Sequence, residues 1–139
     1  MSVVLFTGSR DWVDEAPVQA IVDALPSDVA VVHGAARGLD EIVNRLARAR
    51  GLRVLPFPAD WTRYGDAAGS IRNQTMLIEA KPTEAYAFPL PQSVGTWDMV
   101  RRLRGAGVPV EVYESAPVVV TPTETSDEEV EAFIASFRA

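Results

Sequence analysis

The sequence predicts an α/β fold in which a mainly parallel sheet of five or more strands lies between two layers of helices. Short apolar runs alternate with stretches of helical periodicity throughout residues 1–113, a pattern typical of parallel sheets with connecting helices. The apolar runs are continuous, as expected of strands that are buried on both faces. With right-handed crossovers, this pattern predicts a Rossmann-like three-layer sandwich.

The first strand and the first helix illustrate the signals by which all the elements are predicted, namely apolar runs or helical spacing followed by a glycine or proline. Gly8 ends the first apolar run, and Pro26 closes the first helix, whose apolar residues recur at helical spacing from Val18 to Leu25. The predicted elements, in chain order, are strand 3–7, helix 13–25, strand 29–33, helix 39–50, strand 53–57, helix 70–80, strand 85–88, helix 95–105 and strand 109–113.

The later strands and helices end at the same kinds of residue. Gly34 ends the second strand, and Gly51 follows the apolar face of the second helix as a C-terminal stop. Residues 58–69 are predicted to be a long polar loop, and the loop at 89–94 leads into the last helix of the domain. Residues 1–113 therefore form one predicted Rossmann-like domain.

Residues 114–139 form a different kind of sequence. They carry six acidic residues and one basic residue, whereas the body of the chain is almost neutral. A stretch rich in Pro, Thr and Val is followed by Ser126 and Glu129 at capping-box spacing and by an apolar stripe from Val130 to Phe137. We predict a linker and an acidic amphipathic helix that packs on the domain or on a dimer mate.

Composition excludes several classes of function. The chain has no cysteine and one histidine, so thiol chemistry, disulfides and a multi-histidine metal site are excluded within one chain, and we predict no metal. It lacks a signal pattern and any run near the roughly 20 apolar residues of a membrane span. The net charge of −6, with an almost neutral body and an acidic tail, argues against nucleic-acid binding, which usually needs a basic face. We predict a cytoplasmic protein without membrane contact.

The unusual residues of the chain follow the predicted strands. Because the carboxyl ends of parallel strands share one edge of a sheet, these loops are expected to form one ligand-binding rim. Glycines there let a backbone approach a ligand, helices that open near Gly38 and Gly95 suit a phosphate, and arginines and aromatic rings suit phosphates and a base. The predicted ligand-binding residues are Gly8, Ser9, Arg10, Gly34, Ala35, Arg37, Gly38, Asp40, Asp60, Trp61, Arg63, Tyr64, Arg72, Asn73, Gly95 and Thr96.

Several residues at this rim, both inside and outside this set, also have an ordinary structural interpretation. His33 is as well explained as a satisfied rim residue as by catalysis, and Trp12 and Trp61 as caps of the sheet edge. Asp60 and Asp98 are explained as well by structural roles, as helix caps or arginine partners, as by roles in ligand binding or catalysis. None of the motifs G-x-G-x-x-G, G-x-x-x-x-G-K-[ST] or G-x-S-x-G is present, so a nucleotide would have to bind by another arrangement.

Five segments together resemble the YspA/YpsA-related branch of the SLOG superfamily, which also groups the Lonely Guy phosphoribohydrolases, molybdenum-cofactor carrier proteins and DNA-processing protein A. The segments are 7–10, 33–40, 57–61, 71–76 and 94–100. The resemblance covers about residues 1–113 and is closest to small bacterial or phage members. It implies a Rossmann-like fold, a homodimer or higher homo-oligomer, and a bound nucleotide or nucleotide derivative such as ADP-ribose or NAD, with no cofactor required.

The chain departs from the phosphoribohydrolases in the loop before the last helix. Gln92 and Ser93 stand where those enzymes have paired glycines, and Met99 stands at the position of their catalytic glutamate. Arg72 matches their active-site arginine. A thioether neither accepts a proton nor stabilises a cationic centre. This departure from the phosphoribohydrolases therefore favours binding over catalysis.

Three functions follow in order of preference. The first is binding or sensing of a nucleotide-derived ligand at the rim. The second is N-glycosidic hydrolysis of nucleoside monophosphates, with Arg72 and either Asp98 or Asp60 as catalytic residues. The third is nucleic-acid binding like that of DNA-processing protein A, against which the charge distribution argues.

Overall fold

A computed structural model of the chain describes residues 2–114. All five strands are parallel, in the order β3-β2-β1-β4-β5. Their bounds are Val3–Gly8 (β1), Ala30–His33 (β2), Arg53–Pro56 (β3), Glu84–Phe88 (β4) and Val110–Val112 (β5). The predicted α/β fold with a five-stranded parallel sheet is confirmed.

The helices pack on both faces of this sheet. Their bounds are Glu15–Ala24 (α1), Leu39–Ala49 (α2), Trp61–Tyr64 (α3), Ala68–Thr75 (α4) and Val94–Gly105 (α5). The last turn of α4 continues as a π-helical segment, Met76–Ala80. No helix within residues 2–114 is long and apolar enough to span a membrane.

Alternating side chains of the strands build two separate cores. Val4 and Phe6 of β1 contribute to the core that includes α1 and α2, whereas Leu5 contributes to the core that includes Met76 and α5. All three side chains are fully buried. Because successive strand residues point to opposite faces, one continuous apolar run supplies both cores, and three layers result.

The structure corrects one predicted element and leaves another outside its range. The segment 58–69, predicted to be a loop, contains α3 and a 3₁₀ turn at Gly65–Ala67, and α4 already begins at Ala68. The Oδ1 atom of Asp60 accepts the N–H of Arg63 at 3.0 Å and caps α3. A helix this short has no apolar period, so periodicity alone missed it. The linker and acidic helix predicted over 114–139 lie, from residue 115 onward, outside the described residues.

Candidate functional site

A polar cleft of about 540 Å³ opens at the carboxyl edge of the sheet, between the loops that follow β1 and β4. The strand order reverses at this point, because β2 and β3 lie on one side of β1 and β4 and β5 lie on the other. Open α/β sheets bind ligands in the crevice at such a reversal. The fold thus places a cleft where the sequence predicts a ligand-binding rim.

Most of the residues predicted for the site line this cleft. They come from the end of β1, from the loops after β1 and β2, and from α2, α3, α4 and α5. The predicted residues that line the cleft are Gly8, Ser9, Arg10, Gly34, Arg37, Asp40, Trp61, Arg72, Asn73, Gly95, Thr96 and Asp98.

Five predicted residues do not line the cleft. Ala35 and Gly38 lie in shallower grooves beside it. Asp60 is the exposed cap of α3, and the guanidinium of Arg63 lies 5.1 Å from the ring centroid of Tyr64 on the outside of the same helix. These last three were predicted together from a presumed loop, and folding of that segment into a helix separates them from the cleft.

Sequence reasoning missed seven polar residues that line the cleft: Thr7, Asp11, Asp66, Ser70, Gln92, Ser93 and Arg101. Gln92 and Ser93 follow β4 directly, so their position at the rim could have marked them. Ser70 was predicted as the first residue of a helix, and nothing in its local sequence indicates which way that helix faces. Arg101 lies three residues beyond Asp98 on α5, a spacing that points both toward the same side.

Two loop glycines make room for the protein itself. A Cβ atom at Gly34 would lie 2.5 Å from the Nη1 atom of Arg72. Gly38 has φ of +74°, and its Cβ would lie 2.6 Å from the carbonyl oxygen of Ser9. The Leu39 N–H donates to that same oxygen at 3.1 Å. The loops after β1 and β2 are therefore packed directly against each other.

Arg72 and Asn73 connect α4 to the two sides of the cleft. The guanidinium of Arg72 donates to the carbonyl oxygen of Gly34 and, through Nε, to Oδ1 of Asn73 at 3.0 Å. The Nδ2 atom of Asn73 donates to the carbonyl oxygen of Gly95 at 3.1 Å and to Asp98 at 3.0 Å. This chain of hydrogen bonds holds the loop after β2 and the start of α5 in one arrangement.

Asp40, in the first turn of α2, is a buried carboxyl group beside this arginine. Burial raises its pKa to about 6, against the hydrogen bond from Ala36 and the positive charges of Arg72 and Arg10. Its Oδ2 atom accepts the N–H of Ala36 at 3.2 Å. The nearby N–H of Gly34 also lowers the pKa of Asp40. It does not form a hydrogen bond with Oδ1, which has no partner among the described residues.

Replacing Asp40 with asparagine is expected to change how stability depends on pH. The pKa is 3.8 when unperturbed and about 6 when folded, so the folded chain binds more protons in this range and loses stability as the pH rises through it. Asparagine has no such loss. The stability of Asp40→Asn relative to wild type should therefore increase by about 1.4 kcal/mol between about pH 5 and about pH 7.5.

Urea unfolding of the wild type and of Asp40→Asn across this pH range measures the difference between their free energies of unfolding. His33 is present in both proteins, so its titration cancels. A difference between the two proteins that does not vary with pH would contradict the burial of an ionised Asp40.

His33 is a satisfied structural residue. Its Nδ1 atom accepts the N–H of Ala35 at 2.9 Å, and its Nε2 atom lies 2.9 Å from Oδ1 of Asn44. With Nδ1 as acceptor, the proton is on Nε2. Burial is the main cause that lowers the pKa of His33, so it is neutral at physiological pH. Both ring nitrogens therefore have partners within the protein, which supports the interpretation of His33 as a satisfied rim residue.

Asp98 faces the cleft, but its carboxylate is already engaged. It accepts from Nε of Arg102 at 2.8 Å and from Asn73, and its Oδ1 lies 4.0 Å from Arg101. Burial opposes ionisation, but the hydrogen bonds from Arg102 and Asn73 outweigh it and lower the pKa of Asp98. Met99, the next residue, is fully buried in the core. Since adjacent helical residues point about 100° apart, position 99 does not face the cleft.

Two tryptophans follow strands at this edge, and they have different environments. Trp12 is 5% exposed and packs edge-on against Phe88, with ring centroids 5.3 Å apart. Trp61 is 47% exposed and lines the cleft, and the guanidinium carbon of Arg10 lies 5.0 Å from its ring centroid. Only Trp61 therefore offers a flat apolar surface to a ligand.

The fold and the cleft define a Rossmann-like α/β domain with a polar ligand-binding crevice at its topological switch point. The sequence model of the YspA, cpYpsA-related SLOG family matches residues 2–64. The chain is also 42% identical over 126 residues to the Gene 61 protein of Mycobacterium phage D29, an alignment that covers 84% of this chain and 100% of that protein. The chain belongs to the YspA, cpYpsA-related SLOG family.

Proposed function

We propose that the chain binds a nucleotide or a nucleotide-derived ligand in the cleft. Membership of the SLOG family suggests a nucleotide-related function. The observation that carries the proposal is the combination, within one cleft, of an open helix N-terminus, arginine side chains and one exposed tryptophan ring. These are the groups that hold a phosphate and a base.

The phosphate is expected at the N-terminus of α5. The cap residue Ser93 makes no side-chain hydrogen bond to this helix, and the first turn carries no acidic residue. A Cβ atom at Gly95 would meet nothing within 4 Å, so the backbone there is open to a ligand. Unpaired N–H groups and the helix dipole together favour an anion at this position.

The N-terminus of α2 is less suited to a phosphate, although the sequence pointed to both helices. Its first turn carries Asp40 and Glu41. The Oε1 atom of Glu41 already accepts the N–H of Gly38 at 3.3 Å. Two carboxyl groups at this end oppose a second negative charge, so we assign the phosphate to α5 and the uncharged part of the ligand to the α2 side.

Native mass spectrometry of the freshly purified chain, followed by denaturation, tests the proposal first. We expect a released nucleotide or, for an empty protein, binding by calorimetry to at least one of the nucleoside monophosphates, NAD and ADP-ribose. An empty protein that binds none of these compounds would overturn the proposal.

Replacing Trp61 with alanine is expected to weaken nucleotide binding by about tenfold or more, because stacking of one base on an aromatic ring contributes about 1–3 kcal/mol. Tyr64→Ala is the matched control, since Tyr64 is on the same short helix, is 39% exposed and does not line the cleft. Calorimetry with the tightest-binding nucleotide measures both variants. Equal affinities in the two variants would place the base elsewhere.

The proposal is binding without hydrolysis of the N-glycosidic bond. Asp98 is held by Arg102 and Asn73, and Asp60 caps α3 outside the cleft. Neither is a free carboxyl group that could assist departure of a base. We expect no free base from nucleoside monophosphates incubated with the purified chain, and base release that Asp98→Asn abolishes would favour the hydrolase instead.

A further inference from the structure

The Oδ1 atom of Asp40 differs in its hydrogen bonding from every other buried side-chain nitrogen or oxygen of residues 2–114. It is the single buried side-chain nitrogen or oxygen in this range without a hydrogen-bond partner. Asp40 is 5% exposed and belongs to the same buried class as Asn73 and His33, both of which have partners. Leaving a buried polar atom unpaired costs free energy. A group that does not belong to residues 2–114 is therefore the natural partner of Oδ1.

This carboxyl group lies at the wall of the cleft. Asp40 lines it together with Gly34 and Arg72, whose guanidinium is occupied by the Gly34 carbonyl and by Asn73. The donors of Arg72 are thus directed elsewhere, and the N–H of Gly34, which lowers the pKa of Asp40, does not pair with Oδ1. Because Asp40 lines the cleft, a donor group of a ligand seated there is a candidate partner for its Oδ1 atom.

The chemistry of this atom restricts what it can meet. An ionised carboxylate only accepts hydrogen bonds, and it repels a phosphate. The complementary group is a neutral donor, which a nucleotide supplies from a ribose hydroxyl or from an N–H of its base. The phosphate then lies away from Asp40, which agrees with its assignment to α5.

We infer that Asp40 is a specificity-determining residue whose Oδ1 atom accepts a hydrogen bond from a hydroxyl or N–H group of the bound nucleotide. This inference rests on the proposed function. It predicts that the chain distinguishes nucleotides by a neutral donor group on the ligand as well as by phosphate.

The first test compares Asp40→Asn with the wild-type chain. Asparagine retains an oxygen for Ala36 and places an N–H₂ group where Oδ1 was, so a donor then faces the donor of the ligand. We expect the affinity for the tightest-binding ribonucleoside 5′-monophosphate to fall by about tenfold or more. The matched control is Asp28→Asn, which removes the same charge from an exposed position before β2 and outside the cleft and should change affinity by less than about threefold.

Analogues of the same nucleotide then identify the source of the donor. If ribose supplies it, the 2′-deoxy or 3′-deoxy form binds the wild type about tenfold more weakly and binds Asp40→Asn as the parent nucleotide does. If the base supplies it, an analogue that lacks the exocyclic amino group behaves in this way. A purely structural role for Asp40 would weaken all these ligands by the same factor and leave their ratios unchanged.

The outcomes separate this inference from the proposed function. Wild-type chain that binds a nucleotide, with Asp40→Asn binding it equally well, overturns the inference and leaves the proposed function standing. Unchanged ratios between parent and analogues overturn the inference as well. Wild-type chain that binds no nucleotide overturns the proposed function, and the inference falls with it.

Discussion

Replacing Gly38 with alanine is expected to destabilise the fold by about 3 kcal/mol or more. Gly38 has φ of +74°, where an L-residue is strained, and its Cβ would lie 2.6 Å from the Ser9 carbonyl oxygen and still closer to that of Arg10. Both obstacles are backbone atoms, so neither can rotate away. The loops after β1 and β2 would have to separate, and the cleft would open with them. Equilibrium unfolding in urea measures the loss.

Gly51→Ala is the matched control for this prediction. Gly51 has φ of +76°, almost the same backbone conformation, but its Cβ would meet nothing within 4 Å. It should therefore show the conformational cost alone, about 1–2 kcal/mol. Equal losses at the two positions would mean that the close packing of the two loops contributes nothing. The nucleotide affinity should fall only in Gly38→Ala, because Gly51 follows α2 at the opposite edge of the sheet.

Replacing Arg72 with alanine is expected to destabilise the fold by about 2 kcal/mol near neutral pH and to reduce nucleotide affinity strongly. The substitution removes the hydrogen bonds to the Gly34 carbonyl and to Asn73. It also removes the larger of the two positive charges that lower the pKa of Asp40 against the effect of burial. A buried carboxylate is then left with less compensation.

A double-mutant cycle separates these contributions. If the charge of Asp40 is a large part of the loss, Arg72→Ala introduced into Asp40→Asn should cost about 1 kcal/mol less than in the wild type. Arg63→Ala serves as the control for removal of an exposed arginine, with an effect within about 0.5 kcal/mol. Full additivity in the cycle would show that Arg72 stabilises the loop through hydrogen bonds alone.

Local sequence signals were sufficient for most of the fold. Each predicted strand overlaps an observed one, because a short apolar run that ends at a glycine or a turn is a local property. The segment 58–69 was the exception, since the cap at Asp60 starts a helix of only four residues. That one error accounts for the placement of Asp60, Arg63 and Tyr64 in the predicted site.

Comparison by motif does not show which way each residue of α5 faces. The sequence drew attention to Met99 as the substitute for a catalytic glutamate, yet Met99 is fully buried in the core. Asp98 is the residue that faces the cleft, where Arg102 and Asn73 hold it. A motif aligns positions along the chain, whereas the direction of each side chain depends on how the helix packs against the sheet.

The sequence by itself determined the alternation of strands and helices, and with it the edge of the sheet at which the loops gather. These are consequences of hydrophobic period and of glycine and proline positions, which act over a few residues. Only the tertiary structure decided which side chains meet in the cleft. The contact of Arg72 with Gly34 spans 38 residues, and the unpaired Oδ1 of Asp40 exists because neighbouring elements bury that carboxyl group while supplying a donor to one oxygen only. Burial and hydrogen-bond pairing depend on the packing of distant segments, and local patterns carry no information about them.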